Sequence, residues 1–542
     1  MAPLTAGAAS TTEPEGGGEC PKPQSANENE AWPGQAQWQR LEAAGYRLGE
    51  FSIQVEDVYT GTSLAWYQRL ANTLHLDTEP EVIDELLTVS PGEVVTAERI
   101  YEAERALREQ SFLIDARIVP VACDTGRVTS AVRVRDAWTL QAGAGVGSAG
   151  GDATSSAGIT DKNFLGTGKS VSLDWSEGTE RSSVEVGYAD PALFGSAWTL
   201  ELDHADHSDG EREAVALAYP FRRADQDWGF RSSYETDRSE LDFEEFGETA
   251  YSADAQHSQA HVEVVRRIAD GQHGGWRGGL GWRREQAEYG ELEEEAPDLR
   301  PEPALADRDL SGPYLVFERF SHRHKSFRNL QAIGKTEDYD LGFDARLMGG
   351  RYPRGDRWFY QLEARHGWAL GERDLLVTRL DLAGRYHDDR GKEATYREVS
   401  ADHYHRITPR NTWVTHGEYS WHDDPDPEDE LYLGGYDGLL AYPNRFRSGD
   451  RRWLVHLENR YVSDVVLFDT VQLGYTVFFE AGNVRGFDGR WGRSLRDVGA
   501  GLRLGSLRSS FGAVSYVAVA TPLVDGGQSD DYTVVLGSTV SF

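Results

Sequence analysis

The chain has 542 residues, a formal net charge of −35, and only six lysines beside about 49 arginines. Such acidity excludes a phosphate-binding surface as the default, because nucleic-acid recognition needs basic patches. No run approaches the roughly 18 consecutive apolar residues of a transmembrane helix, which leaves transmembrane strands open, since only alternate residues of a strand face lipid. Glycine (58) and the aromatics Trp, Tyr and Phe (15, 24 and 20) are abundant, a composition that suits a large antiparallel β structure.

Residues 1–45 read as a disordered segment, and the first 35 are rich in Gly, Ser, Pro and Glu without periodicity. Met1–Ser10 lacks a basic n-region and a Leu-rich h-region, so no complete signal peptide is legible. Cys20 and Cys123 lack metal-ligand spacing; a disulfide in an oxidising periplasm and two separate thiols both stay open. Residues 46–137 read as a small α/β domain. Phe51, Ile53 and Val55 alternate as a strand, and Leu64–His75 and Pro80–Leu87 read as helical. Thr96 is placed to cap a further helix carrying Ile100, Ala103 and Leu107 on one face. Strands at Ile114–Val121 and Val128–Val134 follow, giving a β-α-α-β-β unit with open sheet edges.

From Trp138 to Phe542 the helical period disappears. Trp358, Tyr360, Leu362 and Ala364 share one strand face, and Gln361, Glu363 and Arg365 the other. Trp453, Val455, Leu457 and Tyr461 oppose His456, Glu458 and Arg460 in the same way. Residues 138–542 are too long for a usual sandwich; at roughly 25 residues per strand and loop they predict an antiparallel transmembrane barrel of about 16 strands. The chain ends on a strand pattern in which Tyr532, Val534, Leu536, Val540 and Phe542 share a face, suited to a closing strand.

Several passages together resemble the BamA/TamA family of outer-membrane proteins, built from POTRA domains and a C-terminal barrel. Glu104–Arg108 with Phe112–Ala116 looks like the second helix and strand of a POTRA module, and Arg133–Trp138 like its junction to the barrel. Asn163–Lys169 and Tyr188–Gly195 look like the first barrel hairpins. Leu433-Gly434-Gly435, Tyr442-Pro443 and Gly449-Asp450 look like the family's lumenal loop, and Phe478-Phe-Glu480-Ala-Gly482 like the strand that receives it. Val540 and Phe542 match the family's C-terminal barrel signal. The resemblance implies an outer-membrane location with the α/β domain in the periplasm. It also implies a role in inserting or exporting proteins by strand capture and lateral opening, without enzyme activity or cofactor. Expected partners are membrane lipids, unfolded client proteins and periplasmic or lipoprotein accessory factors. A passive pore and a two-partner-secretion transporter are the alternatives.

The family loop presents an Arg-Gly tip paired to an acidic residue of the receiving strand. Here Leu440 and Ala441 occupy those two positions and Glu480 is the acidic residue. A buried carboxylate needs a compensating cation. Arg445 and Arg447 follow on the same loop, and Arg445 is expected to take that place. The pairs His403/His405 and His322/His324 lack a third metal ligand, and the acidic run from Asp423 to Glu430 reads as a solvated loop.

Overall fold

The computed structural model describes residues 20, 34–59, 64–149, 152–178, 181–223, 226–271, 274–321, 323–508, 514–524 and 532–539. The readings made for 1–19 and 21–33, for His322, and for Val540 and Phe542 lie outside the described residues.

The amino-terminal unit comprises α1 (Gln35–Ala43), β1 (Arg47–Glu56), α2 (Trp66–Leu74), α3 (Pro80–Leu86), α4 (Ala97–Arg108), β2 (Leu113–Asp124) and β3 (Arg127–Asp136). Its sheet runs β1-β3-β2, with β1 parallel and β2 antiparallel to β3. The parallel pairing requires a crossover, which the helices supply. Period 2 on β2 and β3 and period 3.6 on α4 aim their apolar faces at one core. Ile100, Leu107, Ile118, Val128 and Val132 meet there in one core.

Helix α1 corrects the expectation of disorder up to residue 45. Its Trp38 and Leu41 are 1% and 0% exposed, and Trp38 Nε1 donates to the Ile118 carbonyl at 3.1 Å. The local sequence QAQWQRLEA offers only two large apolar residues, so packing and not periodicity marks this helix. Thr96 does sit at the N-cap of α4, but its side chain makes no capping bond. Glu42 of α1 accepts the Ala97 N–H instead, at 3.0 Å. Cys20 and Cys123 are joined by a disulfide, which ties position 20 to β2.

Of the remaining strands all but four form one closed antiparallel sheet, from Leu140–Ala149 to Thr533–Thr539, which meet with Ser148 opposite Leu536. Among the described residues it holds twenty strands of seven residues or more, beside the two-residue Glu293–Glu294. The expected count of about 16 was too low because many connections, most of them at the end away from the α/β domain, are only two to four residues long, so each strand and its loop consume fewer residues than assumed.

The wall has an inverted burial pattern. On strand Arg308–Ser321, Leu315 and Phe317 are exposed on the outside, while Tyr314, Val316 and Glu318 are buried. Trp276, Leu280 and Trp282 repeat the outward apolar face on the neighbouring strand, whose Glu285 is buried. A protein that exposes its large apolar side chains and buries its charges has its solvent relation reversed, as a lipid-facing barrel requires.

Two inserted segments enter the lumen. One, residues 323–342, leaves the wall at the end nearest the α/β domain and folds as a hairpin of His324–Arg328 and Thr336–Asp340. The other, residues 424–450, comes from the opposite end and contains the paired strands Leu431–Leu433 and Arg447–Gly449.

Candidate functional site

The tip of segment 424–450 rests against three consecutive strands, Arg451–Leu467, Val471–Arg485 and Leu495–Ser506. Register places His456 directly opposite Glu480, and Glu480 directly opposite Asp497. Phe478, Glu480 and Gly482 are spaced by two, so all three face the lumen. Each meets a different part of the loop. Phe478 packs with Ala441 and partly buried Leu440. Glu480 Oε2 accepts the Leu440 N–H at 3.0 Å. A side chain on Gly482 would lie 3.1 Å from the Leu433 Cδ1, so glycine there makes room for that leucine.

The loop holds its own shape through two glycines. Gly434 has φ 130° and Gly435 φ 57°, and a Cβ on either would run into the Pro443–Asn444 backbone or side chain. Beyond them Leu433, Leu439, Tyr442 and Phe446 form a buried cluster with Val484 and Leu495. The Tyr442 hydroxyl lies 2.9 Å from the Arg496 carbonyl and 2.8 Å from the Val524 carbonyl, and accepts the Arg496 N–H at 3.3 Å. Ala441 N–H donates to Asp497 at 3.0 Å. Backbone amides of Leu440 and Ala441 therefore do part of what an arginine tip would do: they present positive dipoles to the two carboxyl groups.

The expected compensation by Arg445 is not what the structure contains. Glu480 is paired with His456, whose Nδ1 lies 2.9 Å from Oε1, and with the carboxyl of Asp497 opposite it. Arg445 instead pairs with Glu244 at 2.9 Å and lies over the Tyr432 ring, and Arg447 lies over Phe446. The left-handed backbone of Arg445 (φ 46°) turns its side chain toward the opposite wall. The other ring nitrogen of His456 faces Glu458 at 3.4 Å, and Arg460 Nε donates to the same Glu458 oxygen at 2.7 Å. Sequence alternation placed His456, Glu458 and Arg460 on one polar face; it carried no information about which residue of the next strand would lie opposite.

The acidic run is also not a solvated loop. Arg300 makes a bidentate pair with Glu430 at 2.7 and 2.5 Å, both side chains almost fully buried. Arg308 pairs with Glu428, and Arg385 with Asp426, while both arginines also reach Glu285 of the wall. Arg308 and Arg385 come from distant strands and Arg300 from the connection before Arg308, so no local pattern could reveal them. A cavity of about 510 Å³ lies beside this cluster, lined by Arg308, Arg385, Tyr352, Phe359, Tyr396 and His422. His403 and His405 both point at one Asp374 oxygen, at 3.0 and 2.8 Å, so their i, i+2 spacing serves two hydrogen bonds to one carboxylate.

The α/β unit covers the near mouth. Its Thr78 hydroxyl accepts from Asn163 at 2.8 Å, and the Glu79 N–H donates to the Gly166 carbonyl at 3.0 Å. Glu93 pairs with Arg223 at 3.2 Å, Gln68 with Asp469 at 3.2 Å, and the Tyr59 hydroxyl with Thr470 at 2.9 Å. Tyr101 and Arg108 of α4 grip Asp338 of the hairpin at 2.9 and 3.0 Å. The resemblance-bearing turns Asn163–Lys169 and Tyr188–Gly195 are thus docking elements: Gly166 lies against the Asp77 carbonyl and Gly195 against Glu85.

No protein-family model matches the chain, and no curated protein matches it in sequence. Among solved structures it is similar to CdiB from Acinetobacter baumannii, at 14% identity and a TM-score of 0.46, over 91% of this chain and 73% of that one. It is also similar to CdiB from Escherichia coli, at 11% identity and a TM-score of 0.43, over 91% and 76%. BamA from Haemophilus ducreyi lacking POTRA domains 1–3 matches at 13% identity and a TM-score of 0.36, over 91% and 84%. Likenesses of this strength carry no functional conclusion; function is read from the residues.

Proposed function

We propose that this protein is an outer-membrane assembly or export factor of BamA/TamA type, with its α/β unit acting as a POTRA domain in the periplasm. The outward apolar belt supports the membrane location, and the Cys20–Cys123 disulfide suits an oxidising compartment. The observation that carries the protein-handling reading is where the α/β unit sits. Its rim contacts at Asn163–Gly166 on one side and Asp469–Thr470 on the other flank the closure between the first and last strands. The linker follows the same line: Trp138 N–H donates to the Arg508 carbonyl at 2.8 Å.

That closure is built to be weak. The first strand reads Leu140-Gln-Ala-Gly143-Ala-Gly145-Val-Gly147-Ser-Ala149, and alternate glycines cost a strand both order and side-chain pairing. One sheet edge of the domain is sealed: Ile118 N–H is held by Glu104 (2.8 Å), Ile118 C=O by Trp38, and Ala116 C=O by Arg108 (3.2 Å). An extended client therefore adds to β1, along Phe51–Glu56, and passes from there to the seam. The inserted segments at both ends of the lumen speak against a passive open pore.

The test is a seam lock. A Ser148→Cys/Leu536→Cys disulfide, placed at the registered pair, is expected to block client assembly in cells while the barrel stays folded, with rescue by reductant. Undiminished assembly by the locked protein would sink the lateral-opening reading. A wide, steady conductance of the wild type in planar bilayers would favour the pore.

A further inference from the structure

Strand Val471–Arg485 receives both lumenal segments. Near its upper end Gly482 makes room for Leu433 of the far-end loop. Near its lower end Gly474 does the same for Ile333 of the near-end hairpin, and Gly505 on the next strand leaves a matching space: a Cβ there would sit 2.3 Å from the Ile333 Cβ. Ile333 is 1% exposed and packs with Val462 and Val514, so the hairpin tip has a socket shaped for it.

Between the two sockets runs an unbroken polar chain. Leu440 N–H of the loop binds Glu480; Glu480 binds His456; His456 faces Glu458; Glu458 holds Arg460 and accepts the Thr476 hydroxyl. Arg460 then donates to the Leu330 carbonyl of the hairpin at 3.0 Å, and Arg503 to the Gln331 carbonyl at 2.8 Å. Those two hairpin residues are held in place by Glu337, which accepts the Leu330 and Gln331 N–H groups at 2.8 and 2.9 Å. The next residue of the hairpin, Asp338, is gripped by Arg108 and Tyr101 of the α/β domain. Glu458, Arg460, Glu480 and Arg503 are all buried. In a buried chain of charges, removing one partner leaves its neighbour uncompensated, so loss of either end disfavours the other.

We propose that the loop and the hairpin are released as one event, coupled through His456, so that displacement of the α/β domain from Asp338 loosens the far-end loop. This coupling is independent of what the barrel transports and survives failure of the seam-lock test.

The experiment is hydrogen exchange on the full-length protein in detergent, read in two windows, 327–337 and 436–444. Ile333→Asp puts a charge into the apolar socket and ejects the hairpin. Exchange in the loop window is then expected to rise five-fold or more, the usual span of inter-site coupling. In a His456→Leu background the same Ile333→Asp change should leave the loop window where His456→Leu alone put it. Heat-modifiable mobility on SDS gels confirms a folded barrel; where His456→Leu fails that check, Glu458→Gln cuts the same chain at the next link. The proposal is overturned if the hairpin window opens while the loop window stays unchanged, or if the loop responds equally with the chain cut.

Discussion

Tyr442 offers the sharpest test of how the lumenal loop is held. Its single hydroxyl proton lies between two carbonyls, Arg496 at 2.9 Å and Val524 at 2.8 Å, and its oxygen accepts the Arg496 N–H. The ring is fully buried among Leu433, Leu439 and Phe446. Tyr442→Phe preserves that packing and removes only the oxygen, so the part-buried Val524 carbonyl and Arg496 N–H lose this partner, while the Arg496 carbonyl keeps the Leu523 N–H at 2.8 Å. An orphaned buried group costs about 1–3 kcal/mol, so a net loss of ~2 kcal/mol in docking is expected. At about 1.4 kcal/mol per factor of ten, the undocked population rises roughly thirty-fold. Hydrogen exchange at the Leu440 and Ala441 amides, both bonded to wall carboxylates, reads this population directly. Protection equal to wild type in a folded Tyr442→Phe barrel would refute the assignment of this hydroxyl as the loop's anchor.

Two further outcomes follow from the α/β domain. Burial pushes the Glu104 carboxyl up to about 7, despite the Ile118 N–H and Arg108 at 3.5 Å, because Arg108 lies closer to Asp338. A folded value above the unfolded one means stability is full below about pH 4.5 and is lost as pH rises through about 7, on the order of 3 kcal/mol. Protease resistance of the domain should therefore fall between about pH 4.5 and 7 and level off above, and be flat in Glu104→Gln; a parallel slope in the variant would contradict it. Breaking the Cys20–Cys123 link with Cys123→Ser opens a loop spanning 103 residues, at an expected cost of about 2–4 kcal/mol. Melting followed by tryptophan fluorescence should show a lowered domain transition and an unmoved barrel transition, and identical curves would show that the crosslink is idle.

The resemblance-bearing residues Gly434, Gly435, Leu440, Tyr442, Phe478, Glu480 and Gly482 gather at one place on the lumenal wall. Arg445 and Arg447 lie on the same loop but serve other partners. What eluded the sequence was the partner of Glu480. Arg445 is nearer to the loop tip along the chain, yet His456 wins because antiparallel register sets it opposite Glu480.

Periodicity by itself determined the strand-rich character of residues 138–542, the two faces of such strands and the break from the helix-containing segment before them, because side-chain direction alternates with a fixed local period. It identified the Ile100-Ala103-Leu107 face of α4 and the His456-Glu458-Arg460 face of the wall. Tertiary structure alone decided the strand count, the helix at Gln35–Ala43, and the fate of the acidic run. It also decided the near-end hairpin and the line of charges that joins it to the loop. The helix depends on its packing against β2 of its own domain; the others depend on partners supplied by distant strands across a closed lumen, and closure is a property of the whole sheet that no local pattern encodes.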